Sequence, residues 1–511
     1  MTVKNLAKTY SAELEGINAK LIEVEVDMNV GLHSFNIVGL ADKALNEAKE
    51  RVNSALKNSG VKPPNRENRK ITINLAPADV KKAGSHYDLA IALGYLLATK
   101  QIKTFETDNK IFIGELALDG RLRPINGALN IAQMAGDSGF EYLFLPKQNA
   151  DEATAIRGIR IVPLENLCDA ISFLEGNKNI DAPEIAADTR QNESIATDFS
   201  EIVGQENAKR ALTIAAAGGH NIVMIGPPGV GKSMLAHALA GILPELTPRE
   251  AIEITKIWSA AGLSPGRLMR HRPFRAPHQT ASVIALVGGG PDPKPGEISL
   301  AHRGVLFLDE LPEFQRGVLE ALRQPMESGA VHIARAKQSL IFPAKFTLVA
   351  AMNPCPCGYY GDTEHECRCR AYEVIKYQKK TSGPLFDRID LQIKVGRVKI
   401  EELRKGKRSE PSSPNIKIRI ETARNIQAER FNKNPKIVTN AEMSSRQTEA
   451  TARLEPRAEK FLETLDKSRL SARAYYRILK VARTIADLEE KENISAEHVA
   501  EAFSYRLREE Q

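Results

Sequence analysis

The chain has 511 residues, 42% hydrophobic and 26% charged, a composition typical of a globular protein of about two to four domains. Its 71 Lys and Arg against 64 Asp and Glu leave a net charge of +7, which permits a polyanionic partner without requiring one. No apolar run is long enough to span a membrane and no apolar segment follows the first lysines, so we expect a cytoplasmic protein with no membrane partner.

The first 174 residues predict an α+β domain. Apolar and polar residues alternate over Ile22–Val26, as in a half-buried strand, whereas apolar residues over Asp42–Lys57 follow helical spacing. The other predicted elements are a helix and three strands: His86–Leu97, Ile71–Leu75, Ile111–Leu118 and Tyr142–Leu145. We expect Ser85 to cap the His86–Leu97 helix and the isolated Cys168 to be a buried, small apolar residue.

The remaining chain is predicted to contain two linkers and two further domains. Residues 175–198 are polar and without periodicity, which is typical of a linker, and residues 401–415 form a second polar stretch. Between them, residues 199–400 alternate helices with short β-branched strands, which predicts a doubly wound parallel sheet. Residues 416–511 show helical periodicity and predict a helical lid. The fold class is therefore multidomain α/β.

A phosphate-binding loop follows the predicted strand Asn221–Ile225. The sequence G-x-x-x-x-G-K-[ST] is matched without a mismatch by Gly226, Pro227, Pro228, Gly229, Val230, Gly231, Lys232 and Ser233. Glycines let backbone N–H groups converge on phosphates, and the following helix adds its positive N-terminal dipole. Lys232 is expected to reach the β- and γ-phosphates, and the Ser233 hydroxyl to bind Mg²⁺. A turn with an incidental lysine is the alternative.

Two carboxylates end the next apolar strand, Val305–Leu308. Functional groups of a parallel strand lie at its carboxyl end, beside the phosphate-binding loop. There Asp309 can hold Mg²⁺ and Glu310 can polarise an attacking water molecule. An acidic pair alone is more often a solvated turn, but its position after this strand predicts ATP hydrolysis.

Three polar residues farther along are candidate catalytic groups. Asn353 follows the strand Thr347–Met352 and is placed to donate to the γ-phosphate or to orient water, or is simply the start of a turn. Arg388 and Arg473 are candidates to stabilise charge on the transferring phosphoryl oxygens. From the local sequence alone, a surface or salt-bridge role is equally good for either arginine.

Together these residues resemble the AAA+ ATPases, specifically the ComM/YifB family of the magnesium-chelatase-like branch. The similarity extends over essentially the whole chain and is strongest in Phe199–Gln205, Arg272–Thr280, Gly304–Glu310, Asn353–Gly358, Ser382–Asp390 and Leu470–Leu488. It implies Walker A, Walker B and sensor 1 roles for Lys232 with Ser233, Asp309 with Glu310, and Asn353, respectively.

The same resemblance implies an oligomer. It makes Arg388 an arginine finger that acts across a subunit boundary and Arg473 the sensor 2 arginine. An arginine that completes a neighbour's site implies a ring, and the family implies a homo-hexamer that uses ATP and Mg²⁺.

The N-terminal domain resembles the Lon-protease/S5-like domain of such proteins. Ile113–Gly120 and Arg123–Gly127 are similar to the Lon pattern. Lon proteases use a Ser nucleophile and a Lys base, but here Ser85 is offset and Gly127–Asn130 lacks the lysine. We therefore expect a domain without the protease dyad.

Two basic or flexible segments are candidate DNA contacts. Thr255–Lys345 holds twelve Lys and Arg against seven Asp and Glu. Within it, Gly288–Pro295 is a flexible turn, and Val331–Ile341 is a predicted hairpin with Arg335 and Lys337 near its tip. Relatives project hairpins at these places into the ring, where Arg335 and Lys337 would contact a phosphate backbone. A solvated basic face is the alternative.

Four of the five cysteines form a C-x-C…C-x-C cluster: Cys355, Cys357, Cys367 and Cys369. Four thiolates can give Zn²⁺ a closed tetrahedral shell, although C-x₂-C spacing is more common. His365 is a candidate substitute ligand. Reduced buried thiols or a redox pair are the alternatives.

The leading functional hypothesis is a hexameric ATP-hydrolysing DNA motor. The resemblance implies helicase or branch-migration activity on single-stranded or branched DNA in recombination, including the integration of DNA in natural transformation. A chelatase-like or protein-remodelling ATPase is the second hypothesis, and an ATP-switched scaffold the third. The basic hairpin without an aromatic tip favours DNA.

Overall fold

The chain folds into two units, and each unit is built from three separate segments of the sequence. The first comprises Met1–Arg190, Thr247–Arg270 and Ala336–Phe342, and the second Gln191–Leu246, His271–Arg335 and Pro343–Gln511. The computed structural model describes residues 6–39, 42–66, 68–181, 183, 197–290, 293–334, 339–381, 383–398, 412–434, 437–466 and 470–506. The domain boundaries drawn from the sequence stay a prediction, and most of both predicted linkers lies outside these residues.

The first unit contains a four-stranded sheet in the spatial order Leu6–Glu15, Asn18–Val30, Arg69–Ala76, Ser34–Val38. The first three strands pair antiparallel and the last pairs parallel. Ile22, Val24 and Val26 are buried at alternate positions, as predicted. A second, parallel sheet consists of Lys110–Phe112, Tyr142–Pro146 and Arg160–Leu164, and the short strands Glu115–Leu116 and Leu122–Arg123 form an antiparallel pair.

Helices cover these sheets of the first unit. They are Lys43–Asn46, Ala48–Asn58, Asp88–Ala98, Ala128–Asp137, Ala150–Ala153, Leu167–Leu174 and Pro248–Ala261, with short 3₁₀ turns at Pro64–Arg66 and Lys147–Asn149. The Asp88–Ala98 helix is buried on nearly every side, as its apolar sequence predicts. The helix predicted over Asp42–Lys57 is interrupted at Glu47 and therefore forms two helices.

Two predictions for this unit are wrong. Ser85 does not cap a helix, because the helix begins only at Asp88 and the Ser85 hydroxyl donates to the Glu115 carboxylate. Cys168 is exposed, because it is the second residue of Leu167–Leu174, whose buried positions are Leu167 and Ala170. Its position on the helix, and not its apolar character, determines its exposure.

The second unit contains a five-stranded parallel sheet, as predicted. Its spatial order is Phe274–Arg275, Val305–Leu308, Thr347–Met352, Ile222–Ile225, Leu391–Lys394. We call Val305–Leu308 the carboxylate strand, Thr347–Met352 the asparagine strand and Ile222–Ile225 the loop strand. All three are almost fully buried, which explains their continuous apolar sequences.

The helices of the second unit include Glu206–Gly218, Lys232–Ile242, Val283–Val287, Glu297–Leu300, Arg316–Ala321, Arg323–Ser328, Ala371–Gln378 and Gly383–Phe386. The C-terminal helices are Ser413–Arg430, Ser445–Thr451, Pro456–Asp466, Ala472–Leu488 and Ala496–Ser504, with 3₁₀ turns at Phe199–Glu201, Leu311–Glu313 and Asn440–Glu442. Ile420 and Ile485 of the C-terminal helices share one hydrophobic core with Met224 of the loop strand. Among the described residues no helix has both the length and the apolar character needed to cross a membrane.

Candidate nucleotide-binding and hydrolysis site

The predicted Walker and sensor 1 residues follow three adjacent strands at one edge of the parallel sheet. Ile225 of the loop strand pairs with Met352 of the asparagine strand, so Gly226 and Asn353 leave the sheet at the same level. Leu308 pairs with Ala350, so Asp309 leaves the carboxylate strand two residues before the level of Asn353. This edge is where parallel sheets bind ligands.

The loop after Ile225 has the backbone of a phosphate cradle. Gly229 and Gly231 have φ values of +78° and +87°, and a Cβ at either position would stand in open space. Gly226 instead tolerates no side chain, since its Cβ would lie 2.2 Å from the Val395 carbonyl oxygen. The Lys232–Ile242 helix starts directly after Gly231. Free N–H groups at a helix start, preceded by open glycine backbone, fit a polyphosphate.

Lys232 is positioned by three oxygen atoms. Its ammonium donates to the carbonyls of Gly226 (2.6 Å) and Pro227 (2.9 Å) and to Asn353 Oδ1 (3.0 Å). The side chain is buried, and this burial lowers the pKa of the ammonium, while the nearby Asp309 and Glu310 charges act to raise it. The sequence-predicted pair Lys232 and Asn353 is therefore in direct contact.

Ser233 and Asp309 provide the oxygen donors that Mg²⁺ prefers. The Ser233 hydroxyl donates to Asp309 Oδ2 at 3.0 Å, and both side chains are exposed at the sheet edge. A hydroxyl and a carboxylate side by side fit one hard cation that keeps most of its waters. Ser233 and Asp309 thus fit a Mg²⁺ ion bound together with a nucleoside triphosphate.

Glu310 occupies a left-handed backbone conformation (φ 50°, ψ 48°) that non-glycine residues rarely adopt. Its N–H donates to Asp309 Oδ1 at 2.9 Å, and its side chain is exposed. This turn separates the two neighbouring carboxylates, because Asp309 contacts Ser233 while Glu310 faces solvent. Glu310 is free to act on a water molecule.

Arg388 and Arg473 meet at a residue that the sequence did not single out, Glu327. The Arg388 guanidinium pairs with Glu327 and donates to the Pro384 carbonyl, whereas Arg473, which is mostly exposed, lies 3.7 Å from the same carboxylate. Within the described part of the chain, no hydrogen bond joins either arginine to Lys232, Ser233 or the Walker carboxylates. Glu327 lies in a short helix, and no sequence signal distinguishes it from other surface glutamates.

A buried polar network connects the C-terminal helices to the sheet and was also missed. His220 bonds to Asp390 (3.2 Å) and to the Thr484 hydroxyl (2.8 Å), and Asn440 donates to Thr484 (3.1 Å). Burial acts to raise the pKa of Asp390, but the His220 hydrogen bond and nearby positive charges hold it below its usual value. In the sequence, the only signal for this network is that Asp390 lies two residues after the candidate arginine, Arg388.

The candidate DNA residues Arg335 and Lys337 lie outside the described residues. The strands Ala330–Ala334 and Ser339–Pro343 flank them. In the other candidate segment, Gly288–Gly289 pairs antiparallel with Lys294–Pro295. The DNA contacts stay a prediction.

The four clustered cysteines lie together. Their sulfur atoms are all within 4.8 Å of one another, and Cys355 Sγ is 3.4 Å from Cys357 Sγ and 3.7 Å from Cys367 Sγ. Desolvation acts to raise the pKa of the Cys357 thiol, but backbone N–H groups of Tyr359 and Arg368 outweigh it and lower the pKa to about 6. His365 stacks on Tyr359 and is not a member of this cluster. The donor set fits Zn²⁺.

Comparison with known proteins identifies the family. The family described as "Magnesium chelatase, subunit ChlI" matches residues 198–403. The families described as "Subunit ChlI of Mg-chelatase" and "Magnesium chelatase, subunit ChlI C-terminal" match residues 24–149 and 410–506. The chain is 45% identical to competence protein ComM of Haemophilus influenzae, over 98% of this chain and 97% of that protein. It is 43% identical to YifB of Escherichia coli, with the same coverage. The chain belongs to the ComM/YifB family.

ComM/YifB proteins belong to the magnesium-chelatase-like AAA+ ATPases, so the family resemblance and fold class expected from the sequence are confirmed. Membership of this branch implies ATP and Mg²⁺ as cofactors, in agreement with the Walker geometry. A more distant relative is the magnesium-chelatase 38 kDa subunit of Rhodobacter capsulatus, 30% identical over 30% of this chain and 50% of that subunit.

Proposed function

We propose that this ComM/YifB protein is a hexameric, ATP-hydrolysing DNA motor that works as a helicase or branch-migration translocase in recombination. The observation that carries the proposal is the convergence of Lys232, Ser233, Asp309, Glu310 and Asn353 at one sheet edge in a full-length relative of a competence protein. Integration of incoming DNA during natural transformation is the proposed setting.

The proposed hydrolysis uses each of these residues differently. Residues 226–231 and Lys232 bind the phosphates, and Ser233 with Asp309 holds Mg²⁺, which supplies charge neutralisation when bound. Glu310 accepts a proton from the attacking water, for which its exposed position suits it. Asn353 orients the γ-phosphate or the water, and its hydrogen bond to Lys232 couples the two.

Two arginines, Arg388 and Arg473, support the proposed hexamer. Arg388 acts as an arginine finger at a neighbouring subunit's nucleotide and Arg473 as sensor 2. Their shared partner Glu327 supports a switching role, because one carboxylate lies within ion-pair distance of both guanidiniums. A nucleotide at the subunit interface would compete with Glu327 for them.

The magnesium-chelatase relative makes a chelatase-like or protein-remodelling ATPase the second candidate. That similarity covers 30% of this chain, whereas the similarity to ComM covers 98%. Wider coverage favours the DNA motor.

The deciding experiment measures ATP hydrolysis by the purified protein alone and with forked, three-stranded and single-stranded DNA. We expect a severalfold increase with at least one DNA and strand separation or exchange that requires ATP. Hydrolysis that no DNA changes would contradict the motor and favour the remodelling ATPase.

Replacing both Arg335 and Lys337 with alanine tests the proposed DNA contacts. We expect weaker DNA binding and loss of unwinding, with basal ATP hydrolysis retained. Each lost phosphate contact lowers the slope of log K against log salt concentration by about 0.7 to 0.9, so the salt dependence must also decrease. A matched control removes two exposed lysines of the first unit, Lys57 and Lys103. Equal salt slopes for the two double variants would contradict the assignment.

A further inference from the structure

The cysteine cluster begins two residues after the catalytic asparagine. Asn353 directly follows the asparagine strand and bonds to Lys232, and Cys355, which is buried, comes after Pro354. Only one residue, Pro354, therefore separates the cluster from the residue that contacts the Walker lysine. A change in the conformation of the cluster can therefore displace Asn353.

The distances between the sulfur atoms fit a tetrahedral metal shell. A Zn–S bond of about 2.3 Å places any two ligand sulfurs about 3.8 Å apart. Three pairs are separated by 3.4, 3.7 and 3.6 Å: Cys355–Cys357, Cys355–Cys367 and Cys357–Cys367. The Tyr360 N–H also donates to Cys355 Sγ at 3.3 Å, and such backbone bonds stabilise thiolates.

The turn that closes the first cysteine pair touches the phosphate-binding loop. Gly358 N–H donates to the Cys355 carbonyl at 3.0 Å, and Gly358 has a φ of +87°. A Cβ at this position would lie only 2.6 Å from Cδ of Pro228, a residue of the loop. The cluster therefore packs directly against the loop, with no space for a side chain.

The helix after the second cysteine pair returns to the same place. Ala371–Gln378 begins two residues after Cys369, and its Gln378 side chain donates to the Pro354 carbonyl at 3.1 Å. Tyr377 of this helix is buried, which raises its pKa to about 12, and the Asn353 backbone acts to lower that pKa. Both halves of the cluster thus contact the segment that positions Asn353.

We propose that a Zn²⁺ ion bound by Cys355, Cys357, Cys367 and Cys369 is a positioning element of the nucleotide site. By holding the two cysteine pairs together it fixes the position of Pro228 in the phosphate-binding loop and of Asn353 beside Lys232. Loss of the metal then lowers ATP affinity and turnover while the parallel sheet stays folded. This inference rests on the proposed nucleotide site and adds to it a dependence on a thiolate-bound metal.

The first test removes the metal. The double variant Cys367→Ser, Cys369→Ser is compared with Cys168→Ser, which changes the exposed cysteine outside the cluster. Metal content by mass spectrometry, affinity for a fluorescent ATP analogue, ATP hydrolysis and thermal unfolding are measured on the full chain. We expect about one Zn²⁺ per chain in the parent and in Cys168→Ser, and in the double variant no zinc and at least tenfold lower hydrolysis.

The second test keeps all four cysteines and changes only the contact with the loop. Gly358→Ala inserts a methyl group against Pro228, whereas Gly361→Ala introduces the same left-handed strain (φ +75°) where nothing lies within 4 Å. We expect both variants to keep zinc and to have similar unfolding temperatures. Gly358→Ala should lose at least tenfold in kcat/KM for ATP, and Gly361→Ala less than twofold.

Each outcome has a distinct meaning. If parent protein stripped of zinc binds and hydrolyses ATP as well as zinc-loaded parent protein does, the inference is overturned. The proposed ATPase function is then unaffected. The same holds if Gly358→Ala and Gly361→Ala have equal kcat/KM, or if the purified cluster contains disulfides and no metal. Parent protein that binds zinc but neither binds nor hydrolyses ATP instead contradicts the proposed function. Recovery of hydrolysis when Zn²⁺ is returned to stripped protein supports the inference.

Discussion

Lys232 and Glu310 lie at one sheet edge but are held in opposite ways. Lys232 is buried and donates to three oxygen atoms, whereas Glu310 is exposed on a left-handed turn. A fixed ammonium suits phosphate binding, and a carboxylate open to solvent suits proton transfer from water. Substitutions at the two positions should therefore affect binding and turnover separately.

Glu310→Gln should keep ATP affinity within about threefold and lower kcat by about two to four orders of magnitude, because only the proton acceptor is lost. Equilibrium binding of an ATP analogue and steady-state hydrolysis measure the two effects. Lys232→Ala is the contrasting control, and we expect it to weaken binding itself. Near-normal hydrolysis in Glu310→Gln would mean that another residue is the base.

A buried carboxylate of the first unit makes stability depend on pH. Glu13 accepts hydrogen bonds from the Tyr87 hydroxyl and the Ala83 N–H, yet its burial raises its pKa from 4.5 to about 7. Because the folded chain keeps this proton to higher pH than the unfolded chain, stability must fall as the pH rises from about 4.5 to 7. The shift corresponds to roughly 3 kcal/mol.

Glu13→Gln should remove this pH dependence. Between pH 5 and 7 we expect the parent to lose stability relative to the variant. Unfolding free energies from urea denaturation measure this difference. Glu165→Gln, a change at an exposed carboxylate, serves as the control and should show no such trend. A Glu13→Gln curve parallel to that of the parent would argue against a protonated Glu13 in the folded protein.

The Ala472–Leu488 helix is attached to its neighbours by a buried ionic network around Asp487. This carboxylate accepts from Arg430 (2.8 Å), Asn440 (2.8 Å) and Arg483 (3.0 Å) and is fully buried. Removing one member of such a network leaves buried charges without compensation, which costs about 3 kcal/mol. The helix also contains Arg473, so the network positions the proposed sensor 2.

Asp487→Asn should therefore lower the unfolding free energy by about 3 kcal/mol. It should also reduce ATP hydrolysis, because the helix that contains Arg473 becomes less ordered. Differential scanning calorimetry and hydrogen exchange of residues 472–488 measure these effects. The control Glu459→Gln alters an exposed carboxylate of the neighbouring helix. Equal stability of the two variants would show that the network is energetically neutral.

Sequence patterns predicted elements well where one periodicity dominated. The buried strands Val305–Leu308 and Thr347–Met352 have the predicted bounds, because continuous β-branched and apolar sequence has few alternatives. The phosphate-binding loop and the carboxylates that follow the next strand were likewise predictable, since phosphate and Mg²⁺ binding require those residue types at that spacing. Ser85, Cys168 and Glu327 were not, because helix starts, helix faces and partners between distant segments are decided by tertiary packing.

At the scale of the whole molecule, the proposed trans role of Arg388 makes activity a property of subunit pairs. Lys232→Ala disables the subunit's own nucleotide site, and Arg388→Ala disables the neighbour's. Each variant alone should be almost inactive. A mixed ring contains interfaces where an intact Lys232 faces an intact Arg388.

Mixing the two inactive variants should consequently restore part of the ATP hydrolysis. The matched control mixes Lys232→Ala with Glu310→Gln, whose defects both lie in the subunit's own site, so that no mixed interface is complete. Hydrolysis is measured after co-assembly has been verified by mass spectrometry of tagged subunits. No gain in the first mixture, or an equal gain in both, would contradict the trans assignment.

The first unit is assembled from three separate stretches of chain, and this limits how the protein can be divided. Glu152 is buried and accepts hydrogen bonds from the Ser259 and Ser264 hydroxyls, and Asn130 donates to the Lys256 carbonyl at 3.1 Å. A truncated gene product that stops at residue 190 would remove the Ser259, Ser264 and Lys256 partners of these groups, leaving Asn130 only its bond to the Ile17 carbonyl. Deleting residues 1–190 would in turn expose the inner face of Pro248–Ala261. An expression strategy that isolates either unit must therefore rejoin distant segments of the chain, since a single cut cannot separate them.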